Sequence, residues 1–521
     1  MGIPNLKRLV VIIIMACLTS SVTQANSVTD ALAKGRELHD ARKFQEAVAQ
    51  LDDAIRLDPK SAEAYFLRGD SYAGLNKHDR PLEDLSEAIR LKPDYAQAFY
   101  RRGKVYSQLE RHNEAISDFT QAIALKADFA DAMFGRGESN FALKKHEEAI
   151  KEFTEVIKLR PKFAEAYFFR GKAHRRRIEW NSALQDLDES LRLDPNNAWA
   201  YYERGSMHSF DGELERAIED FTQAIRLNHE VQHFYNDRAS VYNRQKKYEP
   251  AIADLNEAIQ LRPTLPLFRS SRANNYYMLG KYDKAIEDST GAIELKPDNA
   301  EYRLRRGNSY YMLGKYEKAI EDYTDAIKLK PDEDEFYYQR ANAYTQLTKS
   351  DEALKDFTEA IRVNPKSGGA YAQRCLLNMA TEHFAAAAVD AHDALEALRW
   401  GNQRAPYFAM LGCLNLRRAR NEEDANKCLD DAVRNYDASR WPFPIIKYLR
   451  REKISADEVL KRATDNDKLT EAHAYLGVDS GISGKRDDAL SHLRWVKEHG
   501  NAALVEHWLA LAELSRLEAK Q

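Results

Sequence analysis

Prolines recur along this chain at intervals that are multiples of 34 residues, and this spacing constrains the fold more than any other feature. They are Pro59, Pro93, Pro161, Pro195, Pro263, Pro297, Pro331 and Pro365. A fixed period of this length is typical of proteins that stack one small structural unit many times. Counted from Val28, eleven contiguous units of 34 residues end at Gly401. We number them repeats 1 to 11 (28–401) and count positions 1 to 34 within each.

The apolar and small residues of a repeat predict two helices. Position 8 is Gly or Ala in most repeats, position 20 is Ala in ten of eleven, and position 24 is bulky and apolar in most. Steps of three and four residues give a helix with one apolar face, and small residues let a second helix approach it closely. The proline at position 32 ends the second helix, because it disfavours helix in the preceding residue and has no N–H to donate.

The pattern resembles the tetratricopeptide repeat signature. Repeat 2 shows this signature at Tyr65, Gly69, Tyr72, Ala88 and Pro93, with Leu85 where the family has an aromatic residue. The resemblance implies an all-α fold, a right-handed superhelical solenoid of antiparallel helix pairs. It also implies a protein–protein interaction scaffold or adaptor that binds proteins or extended peptides in a concave groove. In the family, positions 2, 5, 9, 12 and 13 of the first helices line that groove, and we call them the groove face.

The pattern weakens after residue 401. We predict a degenerate repeat over 402–438, an irregular helical connector over 439–469, a final repeat over 470–503 and a capping helix over 504–521. Ser455 and Glu458 have the spacing of a capping box at the start of a short helix in the connector. This tail resembles the C-terminal part of bacterial periplasmic tetratricopeptide lipoproteins, which implies an alternative function: a lipid-anchored envelope adaptor that regulates proteases or cell-wall hydrolases.

The N-terminal residues have the pattern of an export signal. Lys7 and Arg8 precede an apolar run over 9–18, and Ala25 ends a small-residue cleavage pattern. The run is shorter than the roughly 20 apolar residues of a membrane helix. We therefore predict a signal peptide over 1–25 and an exported, periplasmic chain. Cys17 leaves two alternatives open, because residues 14–17 resemble a lipobox: a membrane-anchored lipoprotein tethered through its N-terminus, and an uncleaved N-terminal anchor.

A row of arginines occupies position 7 of repeats 2 to 11, and an acidic residue always follows 16 residues later at position 23. Repeat 1 has neither, with Lys34 and Gln50 at these positions. Joint presence and joint absence predict internal pairing, because a guanidinium at a contact between helices needs a carboxylate partner. The alternative is a basic row that captures acidic peptides.

Two sets of groove-face residues are candidate peptide-binding residues. The first is an aromatic row at position 5 of repeats 2 to 6: Phe66, Tyr100, Phe134, Phe168 and Tyr202. The second lies in repeats 8 to 10, with Asn274, Asn308 and Asn342 at position 9 and Tyr277 and Tyr311 at position 12. Asparagine amides both donate and accept, which suits the backbone of an extended peptide. The alternatives are that the rings only pack and that the amides are only solvated.

Lys172, Arg175 and Arg176 form a basic spot in repeat 5, which we interpret as a solvated face and not as an anion site.

The sequence favours a binding protein over an enzyme. It contains no nucleophile elbow, phosphate-binding loop, dinucleotide fingerprint or zinc helix motif. We expect no catalytic residues, cofactor or metal, and proteins or peptides as partners. The 78 basic and 82 acidic residues show no long run of one sign, which argues against nucleic acid. An enzyme with a site in the C-terminal irregular region remains an alternative. Cys375, Cys413 and Cys428 fit neither a disulfide framework nor a zinc site, and we expect buried thiols.

Mass spectrometry of the exported protein should place its first residue directly after Ala25, because the small-residue pattern ends there. A labelled fatty acid fed to the cells should not be incorporated. Incorporation that the substitution Cys17→Ser abolishes would instead identify a lipoprotein and contradict cleavage near Ala25.

Overall fold

The computed structural model describes residues 28–75, 79–398 and 402–519, and the regular secondary structure of these ranges consists of helices. The predicted signal peptide and Cys17 lie outside the described residues. Within those same ranges, no helix is both long and apolar enough to cross a membrane.

The helices are α1 (28–40), α2 (Phe44–Leu57), α3 (Ala62–Gly74), α4 (Asp79–Leu91), α5 (Ala96–Gln108), α6 (His112–Leu125), α7 (Ala130–Ala142), α8 (His146–Leu159), α9 (Ala164–Arg176), α10 (Trp180–Leu193), α11 (Ala198–Asp211), α12 (Leu214–Leu227), α13 (Gln232–Arg244), α14 (Tyr248–Leu261), α15 (Pro266–Met278), α16 (Tyr282–Leu295), α17 (Ala300–Met312), α18 (Tyr316–Leu329), α19 (Asp334–Gln346), α20 (Ser350–Val363), α21 (Gly368–Ala380), α22 (Phe384–Leu398), α23 (Ala405–Arg418), α24 (Glu422–Asn435), α25 (Phe443–Leu449), α26 (Ala456–Arg462), α27 (Asn466–Ile482), α28 (Arg486–His499) and α29 (Val505–Glu518).

Consecutive helices pack in pairs, so the predicted all-α fold of stacked helix pairs is confirmed. Odd-numbered helices from α1 to α21 are the first helices of repeats 1 to 11, and even-numbered helices are the second. The described residues form two compact units, one up to residue 246 and one from residue 247 onward. The first contains α1–α13 and the second contains α14–α29.

Each helix pair closes around position 24 of the second helix. In repeat 4 this residue is Phe153, which is fully buried, and its ring lies against position 8 of the first helix, Gly137. A Cβ atom at Gly137 would lie only 2.7 Å from that ring. The small residue is therefore required by close approach, as the sequence pattern indicated.

The position 7 arginines pair with the position 23 carboxylates of their own repeat, so the predicted internal pairing is confirmed. The pairs are Arg68–Asp84, Arg102–Asp118, Arg136–Glu152, Arg170–Asp186, Arg204–Asp220, Arg272–Asp288, Arg306–Asp322, Arg340–Asp356 and Arg374–Asp390. In the pair Arg204–Asp220, Nε and Nη2 donate to the two carboxylate oxygens at 2.9 and 2.7 Å. The aspartate is nearly buried, so the pair is partly shielded from water.

These nine arginines and Arg238 of repeat 7 also bind the preceding repeat, which the sequence pattern alone did not reveal. Nη1 donates to the side chain at position 25 of the previous second helix. These acceptors are Asp52, Ser86, Thr120, Thr154, Asp188, Thr222, Asn256, Thr290, Thr324 and Thr358. One guanidinium therefore joins three helices, and position 25 of repeats 1 to 10 carries an oxygen that can accept.

The C-terminal part of the second unit, from α21 to α29, shares one continuous hydrophobic core, which is larger than the apolar clusters of the other repeats. Ile445, Ile446 and Leu449 of α25 are fully buried in it, and α29 packs against α27 and α28. The predicted capping box of Ser455 and Glu458 is present at the start of α26. The connector therefore contributes to this core through α25.

One buried arginine fastens this C-terminal part. The Arg417 side chain is 2% exposed and donates to Asp479 at 3.1 Å and to the Leu449 carbonyl at 2.6 Å. It joins α23, α25 and α27 in the way that the position 7 arginines join the repeats.

Two buried or partly buried carboxyl groups, Glu471 of α27 and Glu506 of α29, lie close enough to interact electrostatically. Glu471 accepts from the Tyr407 hydroxyl at 3.0 Å and from the Trp441 indole N–H at 2.5 Å. Glu506 accepts from the Tyr475 hydroxyl at 3.5 Å and from a backbone N–H. Burial, with the Glu471 charge nearby, raises the pKa of Glu506 to about 7.

A histidine pair lies in the same region. His473 stacks on Trp495 with ring centroids 4.1 Å apart, and its Nδ1 lies 2.9 Å from Nδ1 of His492. Burial, with His492 and His499 nearby, lowers the pKa of His473 to about 4. The pair is therefore stable as neutral imidazoles that share one hydrogen bond.

Replacing Arg204 with Ala should lower the free energy of unfolding of the first unit by about 3 kcal/mol, because it leaves the buried Asp220 carboxylate without its guanidinium partner. The double variant Arg204→Met/Asp220→Leu should lose less, since no charge is left unpaired. Thermal and urea unfolding measure both. Arg216→Ala is the matched control: its exposed pair with Glu213 should contribute less than about 1 kcal/mol. A double variant that loses as much as Arg204→Ala would contradict the structural role of the pair.

The stability of the C-terminal part should respond to pH through Glu506. Its folded pKa, about 7, lies above the ordinary 4.5, so its contribution is complete below about pH 4.5 and is lost as pH rises through 7. Glu506→Gln stays neutral, so between pH 5 and pH 8 it should gain about 2 kcal/mol relative to the natural chain. Hydrogen exchange of α29 measures this difference.

The control is Glu498→Gln, a change at an exposed residue of α28. A difference between Glu506→Gln and the natural chain that stays constant from pH 5 to pH 8 would show that Glu506 is not held protonated. His473 acts in the opposite direction: its lowered pKa removes stability as pH falls from about 6.5 through 4.

Candidate peptide-binding site

The predicted aromatic row lies on the first helices α3, α5, α7, α9 and α11. Its members are buried or half-buried: Phe66, Tyr100, Phe134, Phe168 and Tyr202. Each has an aromatic neighbour, and in repeats 2 to 4 that neighbour includes the residue at position 34.

Phe134 and Tyr202 illustrate how these rings are held. The Phe134 centroid lies 5.5 Å from Phe153 and 5.1 Å from Phe163. The Tyr202 hydroxyl donates to Asp237 at 2.7 Å. Much of each ring surface is therefore used in packing between helices.

The predicted asparagines lie on three successive first helices, α15, α17 and α19, and all three are half-buried. The Asn274 amide oxygen accepts from Arg305 of the next repeat at 2.9 Å. The Asn308 amide oxygen accepts from the Tyr323 hydroxyl of its own repeat at 2.8 Å. These bonds occupy the oxygens and leave the NH₂ groups as donors.

The predicted tyrosines stand beside the asparagines. Tyr277 meets Tyr282 edge to face at 5.4 Å, and Tyr311 meets Tyr316 in the same way at 5.2 Å. Burial raises the pKa of both Tyr277 and Tyr311. Each ring is therefore fixed by the second helix of its own repeat.

Exposed apolar residues complete this surface, and the sequence prediction missed them. Met278 and Met312 at position 13 are 51% and 47% exposed, and Leu267 at position 2 is 54% exposed. The signal was available, because positions 2 and 13 belong to the groove face and carry apolar residues here. Amide donors next to flexible apolar side chains suit a peptide, whose backbone accepts while its side chains pack.

A serine, a histidine and an aspartate come together between repeats 1 and 2. His39 Nδ1 lies 3.0 Å from Ser71 Oγ, and His39 Nε2 lies 3.4 Å from the Asp70 carboxylate. Ser71 is fully buried, and its hydroxyl donates to the Leu67 carbonyl at 2.7 Å. A nucleophile must reach a substrate, so this contact serves packing and not nucleophilic chemistry.

The cysteines lie in the second unit. Cys375 and Cys413 are buried as predicted, whereas Cys428 is partly exposed beside Gly412 in a cleft of α22, α23 and α24. Burial raises the pKa of all three thiols, so they are poor nucleophiles at neutral pH. Within 28–75, 79–398 and 402–519, no group of three or more His, Cys, Asp or Glu side chains could hold a metal ion.

Family comparisons match repeat families and indicate no catalytic family. Models described as "Tetratricopeptide repeat" match residues 32–96, 100–162, 145–198, 187–219, 232–265 and 334–367, and one described as "TPR repeat" matches 273–314 and 307–348. Together they cover more than half of the chain. No curated protein sequence matches it.

Solved structures resemble the chain at low identity. A tetratricopeptide repeat protein from Parabacteroides merdae is 21% identical with a TM-score of 0.39, covering 49% of this chain and 98% of its own. YrrB, titled a TPR protein with an unusual peptide-binding site, is 24% identical with a TM-score of 0.31, covering 34% and 92%. PilF from Pseudomonas aeruginosa is 16% identical with a TM-score of 0.38, covering 42% and 99%. Values at this level carry no information about partners.

The repeat matches, together with the stacked helix pairs, place this chain in the tetratricopeptide repeat family.

Proposed function

We propose that this protein is an interaction scaffold that binds extended peptide segments of its partners on the groove face of repeats 8 to 10. Tetratricopeptide repeat proteins bind other proteins or peptides, and the family match is the general support for this role. The observation that carries the specific proposal is the regular placement of half-buried asparagine amides beside exposed methionines on successive first helices.

The chemistry of this surface favours recognition of backbone over sequence. The NH₂ groups of Asn274 and Asn308 can donate to peptide carbonyls, because Arg305 and Tyr323 already occupy the amide oxygens. Methionine adapts to side chains of different shape. A ligand bound in this way needs an extended backbone and apolar side chains, but no fixed sequence.

The spacing of the repeats also suits an extended ligand. Packed helices lie about 8 to 10 Å apart, and an extended chain advances about 3.3 Å per residue. One asparagine therefore serves about every third residue of the ligand. Three repeats would hold a segment of about seven to nine residues.

We further propose that binding takes place outside the cytoplasm. The support is the sequence pattern of Lys7 and Arg8 followed by the apolar run over 9–18. The fate of the N-terminus tests this part independently of the groove face.

Crosslinking of the chain in its own compartment tests the peptide site. We expect the triple variant Asn274→Ala, Asn308→Ala and Asn342→Ala to lose crosslinked partners that the natural chain retains, because each substitution removes backbone donors from the surface. The partners are identified and quantified by mass spectrometry. A loss of at least fivefold in crosslinked partner is expected, which corresponds to about 1 kcal/mol of binding.

The matched control is the triple variant Glu287→Ala, Glu321→Ala and Lys355→Ala. These exposed residues lie on α16, α18 and α20, the second helices of the same three repeats. The control should keep all partners, and both variants should show the helix content of the natural chain. A complete set of partners on the asparagine variant would remove this surface as the binding site.

A further inference from the structure

Position 9 of the groove face differs between the two units. The second unit carries the neutral asparagines there, whereas repeats 2 to 5 carry the alternating charges Asp70, Lys104, Glu138 and Lys172. Asp70 has partners, since His39 and Arg101 lie within 3.4 Å of its carboxylate. Lys104 is exposed to solvent. Glu138 and Lys172 require a different explanation.

Lys172 is not the solvated residue that the basic spot in the sequence predicts. Its ammonium lies over three phenylalanine rings at 5.1 to 5.4 Å from their centroids: Phe141, Phe168 and Phe169. The side chain is only partly exposed, and no carboxylate in the described ranges lies within 4.0 Å of it. The rings compensate part of the lost hydration of this cation, but they supply no counter-charge.

The surroundings of Lys172 are positively charged. Arg175 is paired with Glu203 at 2.5 Å, and Arg176 is exposed nearby. Burial is the largest cause that lowers the pKa of Lys172; the charge of Glu203 opposes it, and the charges of Arg176 and Arg175 add to it. Burial and the charges of Arg176, Arg177 and Lys144 also lower the pKa of His146 in the neighbouring repeat. An acidic group would find an incompletely compensated cation here, against a low-dielectric aromatic wall.

Glu138 is the corresponding anion one repeat earlier. It is partly buried on α7, and in the described ranges no Lys or Arg nitrogen lies within 4.0 Å of its carboxylate. Burial raises its pKa; the charge of Lys104 opposes this shift in part, and the charge of Glu165 adds to it. The carboxylate is thus only partly compensated, and a ligand cation in direct contact would supply the rest.

We propose that the groove face of repeats 4 and 5 binds an extended peptide segment that places an acidic side chain against Lys172 and a basic side chain against Glu138. The two residues lie at the same position of neighbouring first helices, α7 and α9. The helix spacing of about 10 Å and the rise of about 3.3 Å per residue set the two ligand charges about three residues apart. The occupant is therefore a segment of mixed charge, and not a uniformly acidic or apolar one.

This inference rests on the proposed use of the groove face for peptides, but it assigns a separate site in the other unit with its own chemistry. A displayed library of random nonapeptides, selected on the purified chain, tests both. We expect a class of binders with Asp or Glu three residues away from Lys or Arg. Selection on the Lys172→Met variant should not yield this class, whereas selection on the triple asparagine variant should still yield it.

Fluorescence anisotropy with a labelled member of that class quantifies the two contacts. Glu→Gln in the peptide, or Lys172→Met in the protein, should weaken binding about tenfold, since a partly buried charged hydrogen bond is lost. Glu138→Gln should weaken only peptides that carry the basic residue. Methionine keeps the length of lysine and its contact with the rings, so circular dichroism should show an unchanged fold.

Lys158→Met is the matched control, because Lys158 is exposed on the second helix α8 and paired with Glu155. It should bind like the natural chain. A selection without a mixed-charge class, or a class that Lys172→Met leaves intact, overturns this inference. Binders that depend on the asparagines in the same selection would still support the proposed function. A dimer in sedimentation that Lys172→Met dissolves, with no mixed-charge binders, would identify a second copy as the occupant and also overturn the inference.

Discussion

The bond network of the position 7 arginines is the interaction on which the stack depends. In eight repeats the guanidinium donates to the carboxylate of its own second helix through Nε and Nη2, and Nη1 donates to the second helix before it, as Arg204 does between Asp220 and Asp188. Lysine could not replace it, because an ammonium lacks a planar fork with donors in two directions. Apolar packing holds a helix pair together, and this fork fixes how one pair follows the next.

Much of this fold could be predicted from the sequence because each sequence signal recurs in many repeats. One Arg–Asp spacing of 16 residues would be coincidence, but its recurrence with joint absence in repeat 1 indicated pairing. The third partner of the arginine was not predicted, because the oxygen at position 25 alternates among Thr, Ser, Asp and Asn and belongs to another repeat. The residues at position 25 differ in identity but share the ability to accept a hydrogen bond. A search for identical residues does not detect that property.

The surroundings of the candidate site residues were harder to predict, and the aromatic row shows the physical reason. Sequence placed Phe134 and Tyr202 at the correct position of their helices, but the side of each ring that is covered depends on neighbours such as Phe163 and Asp237. The environment of Lys172 could not be predicted for the same reason. Its phenylalanine neighbours come from two repeats, so a residue that resembled a solvated cation is held against an aromatic wall.

The pairing of the position 7 arginines with the position 23 carboxylates also determines which charges carry information about a ligand. The charges at positions 7 and 23 satisfy one another, so their number says nothing about binding, although they form the most conspicuous pattern in the sequence. A partly buried charge that lacks such a partner has a cost that folding alone does not offset. Lys172 and Glu138 are of this kind on the groove face of the first unit, whereas Asn274 and Asn308 offer neutral donors in the second. Charges select among side chains and are screened by salt, while amides read the backbone and are not. The two units therefore present different recognition chemistries on one repeat design. The difference can be recognised because the charges at positions 7 and 23 are paired with one another and can be set aside.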